Sequence, residues 1–74
     1  MPRKVSVVIE HDENGYYAYC PELPGCHSQG PTLETAIERI KEAIDLYLET
    51  LSPEEIESCL SREILTTSIE VRVA

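Results

Sequence analysis

A chain of 74 residues has room for one domain, and that domain is marginal alone, because a chain of this size buries only about 60% of the surface its unfolded form exposes. Fourteen acidic residues against six basic ones give a net charge of −8, and the basic residues Arg3, Lys4, Arg39, Lys41, Arg62 and Arg72 are scattered through the chain. A surface that tracks phosphates needs clustered Lys and Arg, so direct nucleic-acid binding is not expected, whereas a basic protein partner suits the field of this chain.

Residues 4–11 are rich in β-branched side chains and alternate, which predicts a strand. Val5, Val7 and Ile9 fall on one face; Lys4, Ser6, Val8 and Glu10 fall on the other. Asp12-Glu13-Asn14-Gly15 follows, and Asn-Gly is a strong hairpin signal because both residues tolerate positive φ. Residues 16–20 are then the return strand, with Tyr16, Ala18 and Cys20 joining the Val5 face and Tyr17 and Tyr19 joining Val8 and Glu10. Pro21 ends that strand, since it cannot donate to a ladder. Pro24-Gly25 predicts a turn, residues 26–29 a short third strand, and Gly30-Pro31 its end.

Thr32 is a good N-cap, and Glu34 favours the dipole of the helix that follows. Leu33, Ala36, Ile37, Ile40, Ile44, Tyr47, Leu48 and Leu51 recur at helical spacing, with Glu34, Glu38, Lys41, Glu42, Asp45 and Glu49 opposite. Such a stripe reads as core rather than as a partner groove. Ser52-Pro53-Glu54-Glu55 is a complete capping box with Pro at the first helical position, and Leu51 and Ile56 occupy the staple positions. This predicts a second helix to about Arg62 that buries Ile56, Cys59 and Leu60. Residues 66–73 alternate again, with Ile69, Val71 and Val73 on one face, and predict a last strand.

The fold class that follows is α+β: a β-β-β-α-α-β two-layer sandwich with both helices on one sheet face. A fourth strand beside the first would run parallel to it. With no Trp and no Phe, four Tyr and the aliphatic residues must build the core, so a homodimer or higher oligomer is expected. No apolar run approaches the roughly 18 residues of a membrane span. The Met-Pro-Arg-Lys start lacks the apolar segment of a signal peptide, and no membrane partner is expected. Three cysteines are an odd number, and a cytoplasmic location with reduced thiols is the default.

Five candidate sites can be weighed. Val8, Glu10, Tyr17 and Tyr19 share the sheet face that the helices leave bare; they are either ordinary cross-strand pairs or a protein interface, in which Tyr is enriched. The corner over residues 21–26 is in any case a rigid joint, and Glu22 and Leu23 would project from it as binding residues. Cys20, Cys26, His27 and His11 lack the spacing of a zinc site, and no acid is placed to orient a histidine toward a catalytic cysteine. Glu10, Glu34, Glu38 and Glu70 are nominal ligands for a two-metal nuclease, but helix glutamates more often form a solvated face, and the last strand carries no acid at its C-terminal end. The fifth is the apolar stripe of the long helix, already read as core. The residues therefore point to no enzyme, no metal and no cofactor.

Several features recur in a particular order. A Val/Ile strand runs into Glu-x-Asp-Glu-Asn-Gly, then Tyr-Tyr-Ala-Tyr-Cys-Pro. Pro-Glu-Leu-Pro-Gly-Cys follows, then Ser-Gln-Gly-Pro-Thr-Leu-Glu-Thr-Ala and an Ile/Leu helix carrying Lys41-Glu42-Ala43. Over residues 4–50 this resembles the N-terminal domain of HicB-type antitoxins; residues 51–74 match only in general layout. The resemblance implies a partly degraded ribonuclease H-like fold without nuclease activity. It also implies a partner, a small basic HicA-like toxin with a double-stranded-RNA-binding-like fold that cleaves mRNA with a His and is inhibited when its active site is covered. Many members of the family continue into a C-terminal DNA-binding segment. This sequence stops at Ala74, directly after the predicted last strand, so residues 1–74 are expected to form a single toxin-binding domain without that segment. The alternatives are an orphan oligomeric domain with no toxin and, from a different class, a residual ribonuclease.

Overall fold

A computed structural model describes residues 3–74; Met1 and Pro2, the first half of the Met-Pro-Arg-Lys start, lie outside the described residues. Three strands come first, β1 (Val8–Asp12), β2 (Gly15–Tyr19) and β3 (His27–Gly30), followed by two helices, α1 (Leu33–Glu49) and α2 (Pro53–Leu60). The strands form an antiparallel meander in the order β1-β2-β3. The α+β class and the expected order of these five elements hold.

Val8 pairs with Tyr19, Glu10 with Tyr17 and Asp12 with Gly15, leaving Glu13 and Asn14 as the hairpin loop. Asp12 Oδ1 accepts the Asn14 backbone N–H at 2.8 Å, so the loop is an Asx turn. Only Gly15 takes positive φ here, at 121°, and a Cβ at this position would stand 2.9 Å from the Gly30 carbonyl oxygen. The glycine of the Asn-Gly pair is therefore required by its backbone angle and by close approach to β3.

The first strand begins later than its sequence suggests, at Val8 rather than near Lys4. The reason lies across the ladder. β2 ends at the Val8–Tyr19 pair and the chain bends at Cys20-Pro21 into the corner, so residues 3–7 have no strand to pair with. Val5 and Ile9 still pack against the core, while Val7 is exposed.

Thr32 caps α1, its Oγ1 accepting the Thr35 N–H at 3.1 Å. Ser52 and Glu55 form the reciprocal capping box on α2, with bonds of 3.1 and 2.8 Å. Hydrogen bonds from the Ser52 backbone and side chain hold the Glu55 carboxyl below its ordinary value. The helix α1 lies over β3 and β2. The core gathers Ala18, Cys20, Leu23, Cys26 and Ile40, with Ile44, Tyr47, Leu48, Cys59 and Leu60 half-buried around them. Helix α2 is a partial cover: Cys59 and Leu60 pack against the core, Ile56 is half-buried, and none of the three is fully buried.

The expected fourth strand does not form. Residues 63–74 carry no regular secondary structure, and Ile69, Val71 and Val73 are 78, 71 and 90% exposed. A strand exists only through its ladder, and among the described residues nothing pairs with residues 66–73. The radius of gyration is 14.4 Å, against about 11 Å for a compact chain of this length, as a segment lying off the body requires.

Candidate protein-binding face

The two sides of the meander have different environments. On the inner side, Ala18 and Cys20 are buried beneath α1. On the outer side the register aligns Val8 with Tyr19, Glu10 with Tyr17, Tyr17 with Gln29 and Tyr19 with His27. The expected separation of Tyr16, Ala18 and Cys20 from Tyr17 and Tyr19 is observed.

Tyr17 is 38% exposed and stands at the centre of the outer face. Its ring centroid lies 5.9 Å from that of Tyr19 and 5.8 Å from that of His27. Val8 is half-buried beside them, and Glu10 is exposed. The result is an aromatic patch with one acid, laid on a rigid ladder. Aromatic side chains with polar tips supply large contact area at low entropic cost, which is the chemistry of protein interfaces. An open groove continues around the hairpin end of this face, lined in part by Glu10, Asp12, Tyr17, Gln29 and Arg39. Arg39 is turned to a structural task, donating from Nη1 to the Gln29 carbonyl at 2.9 Å and so tying α1 to the edge strand.

His27 belongs to this patch, and the sequence reading placed it only among metal candidates. Strand parity would have found it: once Tyr19 sits opposite His27, alternation sends both to the same side.

The corner over residues 21–26 is built differently from its expectation. Glu22 and Leu23 do not project. Leu23 is completely buried and Glu22 is 5% exposed. The loop folds under itself: Leu23 N–H donates to the Cys20 carbonyl at 3.1 Å, Cys26 N–H to the Leu23 carbonyl at 2.9 Å, and Cys20 N–H to the Cys26 carbonyl at 3.0 Å. Gly25 permits the bend with φ of 85°. Three other segments fasten the corner. Ser6 N–H donates to Glu22 Oε1 at 2.6 Å, the Tyr47 hydroxyl donates to the Pro24 carbonyl at 2.8 Å, and Arg62 Nη2 donates to the Pro21 carbonyl. Burial of the Leu23 side chain outweighs its exposure on a loop, so the corner is a core element in this chain.

The remaining candidates are spread apart. His11 stacks on Tyr16 with centroids 3.9 Å apart and planes 4° from parallel. Cys20 and Cys26 are buried free thiols; burial pushes both up from the ordinary thiol value, partly offset at Cys20 by backbone hydrogen bonds at Glu22 and Leu23. Glu10 points away from the layer that carries Glu34 and Glu38, and Glu70 lies on the exposed C-terminal segment. Among the described residues no three His, Cys, Asp or Glu side chains come together as a metal site. Among the same residues no helix is long and apolar enough to cross a membrane.

These features define an acidic α+β module whose accessible chemistry is concentrated on an aromatic sheet face. The profile of the HicB-like antitoxins of bacterial toxin–antitoxin systems matches residues 5–71, and the chain belongs to that family. A UPF0150 protein of Helicobacter pylori is 44% identical over 70 residues, spanning 95% of this chain and 97% of the relative. A UPF0150 protein of Archaeoglobus fulgidus is 57% identical over 47 residues, 62% of this chain and 68% of its own length. One from Synechocystis is 54% identical over 50 residues, 66% of this chain and 63% of its own length. No solved structure matches the chain significantly.

Proposed function

We propose that this protein neutralises a small basic, mRNA-cleaving toxin of the HicA type by covering its active site, and that the outer sheet face is the surface that docks. The carrying observation is the Tyr17-centred patch with Val8, Glu10 and Tyr19, held on a rigid ladder in an antitoxin-family chain of net charge −8. Opposite fields steer a basic toxin toward such a surface, and desolvated Tyr side chains then hold it.

The protein acts in this reading by binding alone, in the cytoplasm, as a homodimer or higher oligomer. Residues 1–74 work as one toxin-binding domain, and scattered basic residues give it no means of gripping operator DNA directly. A three-stranded meander with helices on one side suits a partly degraded ribonuclease H-like core. The spread of Glu10, Glu34, Glu38 and Glu70 favours binding over nuclease chemistry.

Co-expression with a small basic toxin of the HicA type is the test. The expected result is rescue of growth and co-purification as a complex. Failure of both eliminates the toxin-binding reading and leaves the orphan oligomer, which the exposed Ile69, Val71 and Val73 favour in their own right.

A further inference from the structure

Two halves of a strand ladder lie unused on the same chain. One is the outer edge of β1, which has no neighbour in the order β1-β2-β3. The other is residues 66–73, where apolar and polar side chains alternate and none finds a partner. The opposite edge of the sheet is the poorer acceptor. Strand β3 has four residues, Arg39 occupies its Gln29 carbonyl, and Pro31 follows it directly.

We propose that residues 66–73 of a second copy of this chain add to the β1 edge as a fourth strand, and that the exchange is reciprocal, giving a two-fold dimer. Alternation puts Ile69, Val71 and Val73 on one face of that strand. Helix α1 lies over β3 and β2, and beside β1 the inner face is only partly covered: Val5 and Ile9 pack against the core, while Val7 between them is exposed and marks a gap. The incoming apolar face covers that gap. The same chain carries donor strand and acceptor edge in equal number, so two copies satisfy both at once and the exchange closes at two chains. The body needs the addition: Leu23 and Ile40 are its only fully buried large side chains among the described residues.

The inference rests on the self-association named above and not on the toxin, and it is tested on the full chain alone. Sedimentation equilibrium should give a dimer. In a dimer mixed from ¹³C-labelled and unlabelled copies, filtered NOEs should connect the methyls of Ile69, Val71 and Val73 to Val7 and Ile9 of the other copy, which share the inner face. Ile69→Lys with Val71→Lys should weaken the dimer by roughly a hundredfold or more, since the seam is lost twice per assembly, while the helical circular dichroism is unchanged. Val71→Pro, which removes one ladder donor, provides an independent second variant. A monomeric wild type, a variant that stays dimeric, or NOEs confined to one copy or to the two C-terminal segments would each overturn the exchange. None of these outcomes bears on whether the toxin binds.

Discussion

Ser6 and Glu22 are joined by a hydrogen bond of 2.6 Å, from the Ser6 backbone N–H to a carboxylate that is only 5% exposed. The bond stands where a strand partner would have been, because β2 has already turned away into the corner. A side chain thus completes the ladder that the backbone abandons. Glu22→Ala should cost about 1–3 kcal/mol, the range for stranding a buried partner, whereas Glu22→Gln keeps an acceptor oxygen and should lose less. Urea denaturation of the three proteins checks the order; equal loss in both variants would mean that the charge matters and the bond does not.

Leu23 answers a separate question on the same corner. Its side chain is completely buried among Ala18, Cys20, Cys26 and Ile40. Leu23→Ala should cost about 2–5 kcal/mol in stability, as cavity-forming truncations do. The folded fraction of the variant should still bind toxin with unchanged affinity, because the residue reaches no surface. Calorimetric titration at low temperature separates these effects, and a large affinity loss in a folded variant would return the corner to the binding site.

The corner shows where sequence reading falls short. The strands, both helix starts and the Ser52–Glu55 capping box are written in local signals: alternation, Asn-Gly, capping residues and a helical apolar period. The burial of Glu22 and Leu23 is not local. It depends on three fasteners, Ser6, Tyr47 and Arg62, that lie 16, 23 and 41 residues from their partners. A Pro-flanked loop reads as exposed until those contacts are known. Residues 66–73 fail for the complementary reason. Their alternation is legible as strand propensity, but whether a strand forms is decided by a partner edge that no pattern within the segment specifies. On the outer face, alternation correctly grouped Val8, Glu10, Tyr17 and Tyr19, and missed His27 only because the short third strand was not assigned faces.

That face yields the most direct functional test. Tyr17 and Tyr19 lie 5.9 Å apart and on the opposite side from the core. Tyr17→Ala combined with Tyr19→Ala should weaken toxin binding by at least about 2 kcal/mol, the scale of an interface hot spot. The thermal transition should move little, as Tyr17 is exposed and Tyr19 half-buried. Retention of full affinity by this double variant would reduce the face to ordinary cross-strand packing.

Tyr47 ties α1 to the corner through its hydroxyl, 2.8 Å from the Pro24 carbonyl. Tyr47→Phe deletes that donor and keeps the ring, so the expected loss is about 0.5–1.5 kcal/mol. Amide exchange gives a sharper reading than global stability. The Cys26 N–H, which closes the corner onto the Leu23 carbonyl, should exchange faster in the variant than the α1 amides do. Uniform acceleration across the chain would show that the bond supports the whole fold and has no special hold on the corner.

The buried thiols predict an alkaline weakness. Burial raises Cys20 and Cys26 above the ordinary value of 9.0, with each thiol disfavouring ionisation as its charge is drawn out of water. The unfolded chain therefore loses these protons first. It binds fewer protons than the folded state once the pH passes about 9, so stability present below that point falls as pH rises through it. The wild type should lose stability between about pH 7.5 and 9.5 beyond what a Cys20→Ala, Cys26→Ala variant loses over the same interval, although the variant starts lower because it has lost core atoms. Alkylation gives an orthogonal measure: in native buffer Cys59, which is only half-buried, should react well before either of the other two. Equal pH slopes in the two proteins, together with rapid labelling of Cys20, would mean that the corner opens readily and that its thiols are not held in the core.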